Sequence, residues 1–324
     1  MIKTRDNRLC LAIDIGGTNL RFGLVDSDGT IVTRRRLPCK VDTGFAQFLG
    51  SLRKELTELT EGANGLGYSV ESVGAGVPGL IDNDGTVLSS INLRPLEGRN
   101  IRNALEEISG MPVTVLNDAN AAALGEARFG AGRGFSSLLH LTLGTGVGSG
   151  LLLGGVLWTG IDGVAAEYGH ATVEPEGQPC PCGNRGCLEQ YASATAIARL
   201  ARERVARGEE SILAEVAGGN PDSSQVASAA LAGDQVALAC FATAGRYLGL
   251  AAATAVNLLN LEAIIIGGGV AESYDLFEGH MRSEIASRAF SVPAGRVKLL
   301  RGELGDDAGL LGAAAAGWQL LTSP

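Results

Sequence analysis

Apolar runs of strand length, separated by glycine turns, open the chain. Residues 9–14 are apolar up to Asp14, and strand-like patterns follow at 20–26 and 30–37. The sequence Asp-Ser-Asp-Gly at 26–29 separates the last two runs and is typical of a hairpin turn. The pattern predicts three consecutive strands, with a glycine loop between the first two and a hairpin between the next two.

A helical period follows these strands. Apolar residues recur at helical spacing after Phe45 and again from 101 to 108, where Gly110 ends the pattern. Strands are predicted at 71–76 and 113–116, and the Asn117-Asp118 pair opens a helix that runs to about residue 129. Alternating strands and helices predict an α/β fold.

The opening pattern returns near residue 140. A strand at 137–143 runs into a glycine-rich turn at 144–148, and strands at 150–153 and 156–158 follow. Such a repeat predicts two related lobes that face each other. We expect an N-terminal lobe at 1–117, a C-terminal lobe at 118–306, and an Ala-rich helix at 307–324 that packs back on the N-terminal lobe.

Composition narrows the class of protein. The 324 residues are 45% hydrophobic and 19% charged, with 47 glycines and a formal net charge of -9, which argues against binding to nucleic acid. The longest apolar stretches, such as 248–261, are interrupted by Asn257 and Asn260 and are expected to be too short to span a membrane. Residues 1–8 are charged and do not form a secretory leader. We therefore expect a cytoplasmic enzyme.

One histidine and three cysteines are closely spaced. His170 precedes Cys180, Cys182 and Cys187, and Pro181, Gly183 and Gly186 favour a tight knuckle between them. One disulfide with a free thiol is the alternative, but a Cys-x-Cys bridge is strained and a cytosolic compartment disfavours it. Three thiolates and one imidazole form a closed tetrahedral set, so we expect a structural zinc ion.

Two glycine loops are candidates for binding phosphate. The loops comprise Asp14, Gly16, Gly17, Thr18 and Asn19 in the first repeat and Gly144, Thr145, Gly146 and Gly148 in the second. Each alone could be a simple hairpin, and neither has the lysine of a P-loop or leads into a helix as a dinucleotide fingerprint does. As a facing pair they could hold a polyphosphate from two sides, with Asp14 contacting its Mg²⁺ through water.

A third glycine group follows a predicted strand at 262–266. Gly267, Gly268 and Gly269 lead from this strand into a helix, which is equally consistent with close helix–strand packing. Together with the two loops, Gly268 and Gly269 are candidates for the nucleoside side of the ATP site.

Four polar side chains complete the candidate chemistry. Asp118 lies in the first turn of a helix and is either an N-cap or a general base for phosphoryl transfer, with Asn117 beside it. Glu167 and Glu189 flank the knuckle and are either solvated surface charges or acceptors for sugar hydroxyls. His170 could use one ring nitrogen on zinc and the other on the ligand.

At these residues the sequence resembles the ROK family of sugar kinases and related repressors. The most specific part is Glu167-Tyr-Gly-His170 followed by Cys180-x-Cys-Gly-x-x-Gly-Cys-Leu-Glu189. The resemblance implies a two-lobed, actin-like (ribonuclease-H-like) ATPase fold with a structural zinc knuckle. It also implies ATP-dependent phosphorylation of the 6-hydroxyl of a hexose, with Mg²⁺ and with dimers or tetramers common.

The resemblance also assigns roles to positions. Asp118 matches the catalytic base, and His170 with the three cysteines matches the zinc ligands. The sugar ligands implied are Gly79, Asn92, Asn117, Glu167, His170 and Glu189. Two departures stand out: Ala166 replaces the glycine usual before Glu-x-Gly-His, and residues 94–99 lack the aromatic that many glucokinases carry after Asn92-Leu93.

Glucose is the expected substrate, and two alternatives stay open. An N-acetylhexosamine, fructose or allose presents similar hydroxyls. A non-catalytic sugar-sensing regulator of the same family would read DNA through an added helix-turn-helix, which the first ten residues do not provide.

Overall fold

The computed structural model describes residues 7–322. Residues 1–6, on which the expectation of no leader rested, lie outside the described residues. The strands are β1 (Arg8–Ile15), β2 (Asn19–Val25), β3 (Ile31–Pro38), β4 (Ser69–Val77), β5 (Leu80–Ile81), β6 (Val87–Ser89), β7 (Val113–Asn117), β8 (Leu138–Leu143), β9 (Val147–Leu153), β10 (Val156–Leu157), β11 (Ala263–Gly267) and β12 (Lys298–Arg301).

The helices confirm most of the predicted periodic segments. They are α1 (Phe45–Gly65), α2 (Ile101–Ser109), α3 (Asp118–Phe129), α4 (Glu189–Ala192), α5 (Ala194–Ala206), α6 (Ser223–Leu231), α7 (Gln235–Leu259), α8 (Glu278–Arg288), α9 (Ser291–Arg296) and α10 (Ala308–Thr322). The segment after the third glycine group begins as a 3₁₀ helix, Gly269–Leu276, before α8.

Two five-stranded sheets share one topology. The first has the order β3-β2-β1-β4-β7 and the second has the order β10-β9-β8-β11-β12. In both, three strands from an antiparallel meander continue into two parallel strands. The α/β fold with mixed sheets is as expected, whereas β12 and the small β5–β6 hairpin were not predicted because their runs are too short to show a period.

Helices α3 and α10 lie between the two sheets. Leu310 and Leu311 of α10 pack with Cys10 and Ala12 of the first sheet. On the other side, Ala123, Leu124, Ala315 and Ala316 of the two helices pack with a group from the second sheet, Leu138, Leu152, Ala263 and Ile265. Each sheet therefore has helices on both faces, and the middle helical layer is shared.

The outer faces are covered by longer, more apolar helices. Helices α1 and α2 cover the first sheet through a cluster that includes Phe48, Leu52 and Ile101. Helix α7 covers the second, and by length and composition it could cross a membrane. From the sequence, the apolar stretch at 248–261 was expected to be too short to span a membrane, but the helix begins well before residue 248. In the folded protein 67% of its most apolar segment is buried, as in a core helix.

Glycines let the backbones of the middle layer approach closely. A Cβ on Gly312 of α10 would lie 1.6 Å from the carbonyl oxygen of Ala121 in α3, and one on Gly74 of β4 would lie 1.8 Å from that of Ala313. Gly148 and Gly150 of β9 meet Ala119 and Ala123 of α3 in the same way, at 2.8 and 2.4 Å. Any side chain at these positions would force two backbones apart.

We expect Gly312→Ala to destabilise the protein by about 3 kcal/mol, in the range of severe overpacking, because α3 and α10 would have to separate. Denaturant unfolding followed by circular dichroism measures this. Gly62→Ala is the matched control: a Cβ on Gly62, in the interior of α1, would meet nothing within 4 Å. It should be neutral or stabilising by about 0.5–1 kcal/mol. Equal effects of the two substitutions would contradict the packing argument.

Candidate active site

The catalytic candidate lies where β7 meets α3. Asn117 is the N-cap of α3, and its Oδ1 accepts hydrogen bonds from the N–H groups of Ala119 and Asn120 at 2.9 and 3.0 Å. Asp118 is therefore the first helical residue. The N-cap role that the sequence allowed for Asp118 belongs to Asn117. Asp118 stays accessible to solvent although protein atoms surround most of its carboxylate, and its Oδ1 accepts from the Ala119 N–H at 2.9 Å.

Surrounding protein raises the pKa of Asp118. Desolvation is the main cause, the negative charge of Asp14 adds to it, and hydrogen bonds from the Ala119 N–H and Asn117 oppose it. A carboxylate with a raised pKa holds a proton more strongly than an ordinary aspartate does, which suits a general base. Asp14 lies at the end of β1 and Asp118 directly follows β7, and both strands run parallel to β4, which lies between them in the first sheet.

Asp14, at the end of β1, is buried and paired. Its Oδ2 accepts from Arg21 Nε at 2.8 Å and contacts Arg21 Nη2 at 2.5 Å. Burial raises the pKa of Asp14, while the guanidinium opposes that shift. Both contacts use Oδ2, so Oδ1 is the atom left to face a water or a cation. Arg21 Nη1 also donates to the Asp306 carbonyl at 2.8 Å, just before α10.

The first glycine loop lies beside a predicted sugar ligand. The Gly16 N–H donates to the Asn19 carbonyl at 2.9 Å and closes the loop, with Thr18 exposed. A Cβ on Gly17 would be 3.6 Å from Cβ of Asn92, so Asn92 is a neighbour of the loop.

Gly79 supports Asn117 through its backbone. Its φ of 121° lies in the left-handed region, and a Cβ would be 2.3 Å from the Ser89 carbonyl oxygen. The Gly79 carbonyl accepts from Asn117 Nδ2 at 3.0 Å. Gly79, Asn117 and Asp118 are thus held as one unit.

The second glycine loop contacts Glu189. Glu189 Oε2 accepts from the Val147 N–H at 3.1 Å, and a Cβ on Gly146 would lie 2.2 Å from the same oxygen. Gly144 has open space where a side chain would be. Gly148 falls inside β9, where contact with Ala119 explains the absence of a side chain.

The third glycine group divides into two parts. Gly268, with φ of 79°, packs on Leu143, whose carbonyl oxygen would lie 2.5 Å from a Cβ. Gly269 meets nothing within 4 Å. Gly268 therefore packs against the end of β8, which leads into the second loop. Gly269 has free space where a side chain would be.

The four predicted metal ligands come together. One ligand atom from each of His170, Cys180, Cys182 and Cys187 lies within 4.8 Å of all the others. The Cys182 and Cys187 sulfurs are 3.7 Å apart, and the Cys180 sulfur is 3.7 Å from His170 Nδ1. Tetrahedral zinc with Zn–S bonds of about 2.3 Å requires sulfurs roughly 3.8 Å apart, so these residues fit a zinc ion.

The other nitrogen of His170 faces a carboxylate. Nε2 is 4.0 Å from Glu167 Oε2, on the side of the ring away from the sulfurs. Burial raises the pKa of Glu167; the charge of His170 opposes this, and those of Asp118 and Glu189 add to it. Glu167 thus lies near Asp118, His170 and Glu189.

The sequence did not reveal two supports of this region. Arg21 holds Asp14 from the neighbouring strand, and its place opposite Asp14 in the β1–β2 register was the available signal. A tyrosine pair holds the knuckle: the rings of Tyr191 and Tyr247 stack at 4.1 Å, and the Tyr247 hydroxyl contacts Glu174 Oε2 at 3.0 Å. No local pattern predicts that pair, because its members are far apart in the sequence.

Comparison with known proteins shows which family this chain belongs to. The profile of the ROK family matches residues 10–319. The chain belongs to the ROK family. It is 36% identical over 308 residues to the glucokinase of Thermotoga maritima, covering 94% of this chain and 96% of that relative.

Two further relatives show the range of this ROK protein's family. A ROK glucokinase from Streptomyces griseus, solved in complex with glucose and AMPPNP, superposes with a TM-score of 0.79 at 34% identity, covering 96% of this chain and 99% of that one. The xylose repressor of Bacillus subtilis is 28% identical, covering 93% of this chain and 75% of the repressor.

Ala166 adopts a backbone conformation that favours glycine. Its φ is 69°, and Asn260 is the other non-glycine residue with positive φ among the described residues. The Ala166 carbonyl accepts from the Ser149 hydroxyl, which in turn accepts from the Tyr168 N–H at 2.9 Å. These bonds hold the strained residue directly before Glu167.

We expect Ala166→Gly to stabilise the protein by up to about 1 kcal/mol, because glycine removes the left-handed strain and costs some unfolded-state entropy. Thermal and denaturant unfolding measure the change. Ala289→Gly is a suitable control, since Ala289 has φ of -86° and should lose stability on the same substitution. A loss of stability in Ala166→Gly would contradict the strain.

Proposed function

We propose that this ROK protein is an ATP-dependent kinase that phosphorylates the 6-hydroxyl of a hexose, with glucose as its substrate. The observation that carries the proposal is the position of Asp118. Asp118 begins α3 beside Asn117, which donates to the Gly79 carbonyl. The next residue, Ala119, lies against Gly148 of the second glycine loop. A base between a phosphate site and a set of hydroxyl acceptors is what sugar phosphorylation needs.

In this mechanism the sugar is held by directional acceptors. Glu167, Glu189, His170 Nε2, Asn92 and Asn117 would bind its hydroxyls and aim the 6-hydroxyl at Asp118. Asp118 takes the proton of the 6-hydroxyl while the oxygen of that hydroxyl forms a bond to the γ-phosphorus of ATP. The bond from the γ-phosphorus to the bridging oxygen breaks, and ADP leaves.

The ATP would lie between the glycine loops. Asp14, Gly16, Gly17, Thr18 and Asn19 form one wall, and Gly144, Thr145, Gly146 and Gly148 form the other, with Gly268 and Gly269 toward the nucleoside. Asp14 Oδ1 would hold Mg²⁺ through water, and the ion supplies positive charge to the phosphates. A lobe boundary near residue 118 lets the walls close and exclude water.

His170, Cys180, Cys182 and Cys187 would hold zinc as a structural ion. Four protein ligands fill a tetrahedral site, which leaves no open position for substrate. His170 would hold the ion through Nδ1, which lies 3.7 Å from the Cys180 sulfur, and Nε2 would then face the sugar. We further propose a cytoplasmic homodimer or homotetramer that binds neither nucleic acid nor membrane.

We expect Asp118→Asn to lower kcat at least ~1,000-fold, because the amide cannot take the hydroxyl proton. Glucose should still bind, with a Kd within a few-fold of wild type by calorimetry. The melting temperature should not fall, since the substitution removes a desolvated charge. Turnover close to wild type would contradict the assignment of the base.

A sugar-sensing regulator is the second candidate, because the xylose repressor is similar in sequence over 93% of this chain. Hexose-dependent ADP release separates the two, measured with ATP and Mg²⁺ across glucose, N-acetylglucosamine, N-acetylmannosamine, fructose and allose. A kinase turns over only when its sugar is present. Binding of glucose without any turnover would favour the regulator.

We expect one zinc per chain by metal analysis of the purified protein, and its loss in Cys182→Ser because three ligands hold zinc weakly. Cys39→Ser is the matched control: Cys39 is a free, half-buried thiol outside the cluster. It should keep the metal. A full complement of zinc in Cys182→Ser would contradict the ligand assignment.

A further inference from the structure

The second glycine loop is held by the segment that leaves the zinc knuckle. Residues 189–195, here called the exit segment, begin two residues after Cys187 and continue into α5. Besides the Glu189 bond to the Val147 N–H, the Ala194 N–H donates to the Gly144 carbonyl at 2.8 Å. The Thr195 hydroxyl donates to the Thr145 carbonyl, also at 2.8 Å.

These bonds determine which groups the loop presents. The Gly146 carbonyl accepts from the Gly144 N–H at 3.0 Å, so protein donors engage the carbonyl oxygens of three successive residues, 144–146. The Gly144 and Val147 N–H groups are themselves used within the protein, so the N–H groups of Thr145 and Gly146 are what the loop can offer an anion. The exit segment thus orients the loop for phosphate.

Glu189 contacts the second glycine loop and is also a proposed ligand of the sugar. Its Oε2 is bound to the Val147 N–H, and the missing side chain of Gly146 provides the room for that contact. A carboxylate has a second oxygen, which can accept from a hydroxyl. Glu167, in contrast, contacts His170 on the knuckle side, and its hydrogen bonds in the described chain do not include the loop.

We propose that the exit segment positions the second phosphate loop, so that Glu189 and Thr195 determine nucleotide affinity and Glu189 couples it to sugar binding. This rests on the proposed kinase function and adds to it a positioning residue, Thr195, outside the sugar and ATP ligands. A sugar that orders the Glu189 carboxylate would also order the Val147 N–H. By linkage, a nucleotide would then increase sugar affinity by the same factor.

The test is calorimetric binding of Mg²⁺–AMPPNP without sugar. Thr195→Val keeps the shape and removes the hydroxyl, and we expect its Kd to rise about 5-fold, as for one net hydrogen bond of ~1 kcal/mol. Thr195→Ser should restore wild-type affinity. Thr254→Val is the control, since that exposed hydroxyl bonds only its own helix, at 3.2 Å from the Leu250 carbonyl.

A second pair of variants separates Glu189 from Glu167. Both Glu189→Ala and Glu167→Ala should weaken glucose binding, but only Glu189→Ala should raise the Kd for AMPPNP in the absence of sugar. Only in Glu189→Ala should AMPPNP cease to improve glucose affinity.

Wild-type AMPPNP affinity in both Thr195→Val and Glu189→Ala would overturn the proposal, as would failure of Thr195→Ser to rescue. A protein that shows hexose-dependent turnover together with that result retains the proposed function and loses only the positioning role. If the wild-type protein neither turns over ATP with hexoses nor binds AMPPNP, both proposals fail.

Discussion

The geometry of the site depends on how closely α3 packs against β4 of the first sheet and β9 of the second. Gly76 of β4 lies against Ala121, where a Cβ would be 3.4 Å away, and Gly148 of β9 lies against Ala119. Because α3 carries Asp118 at its N-terminus, the separation of the two sheets determines how far Asp118 is from either glycine loop. Small residues in this layer therefore determine the geometry of the site as well as stability, since any added side chain would move a loop away from Asp118.

The site also concentrates negative charge, and the structure offsets it locally. Burial is the main cause of the raised pKa values of Asp14, Asp118 and Glu167. Nearby carboxylates add to it: Asp306 acts on Asp14, Asp14 acts on Asp118, and Asp118 and Glu189 act on Glu167. Arg21 partly neutralises Asp14, while backbone N–H groups at the start of α3 and of β9 bind Asp118 and Glu189. Asp14, Asp118 and Glu189 thus each have a donor that fixes one oxygen and leaves the other free, and Glu167 has a 4.0 Å contact with His170 Nε2. ATP adds further negative charge, which is why the proposed reaction needs Mg²⁺.

The sequence predicted those features that depend on local pattern. Strand and helix periods gave β1–β3, α1 and α3, and the cysteine spacing predicted the cluster that the structure assembles. The cap of α3 was assigned less well, because Asn117 and Asp118 are both common caps and only the backbone distinguishes them. The contacts of Tyr247 and Thr195 could not be predicted, since each acts on a residue that only the fold brings near, whereas the β1–β2 register offered a signal for Arg21. The sequence left Gly268 equally consistent with close packing and with nucleoside binding, and the fold shows close packing in its contact with Leu143.

Ala166 shows how strain and function meet at one residue. A left-handed alanine costs about 1 kcal/mol relative to glycine, yet it stands directly before Glu167. The Ser149 hydroxyl bridges the Ala166 carbonyl and the Tyr168 N–H, so β9 fixes the backbone on both sides of Glu167. Glycine at this position would relieve the strain but would widen the conformations open to the unfolded chain and to any local opening. Alanine therefore restricts the direction of Glu167 at a cost in stability. In the proposed kinase, this restriction would let Glu167 orient one hydroxyl of the sugar.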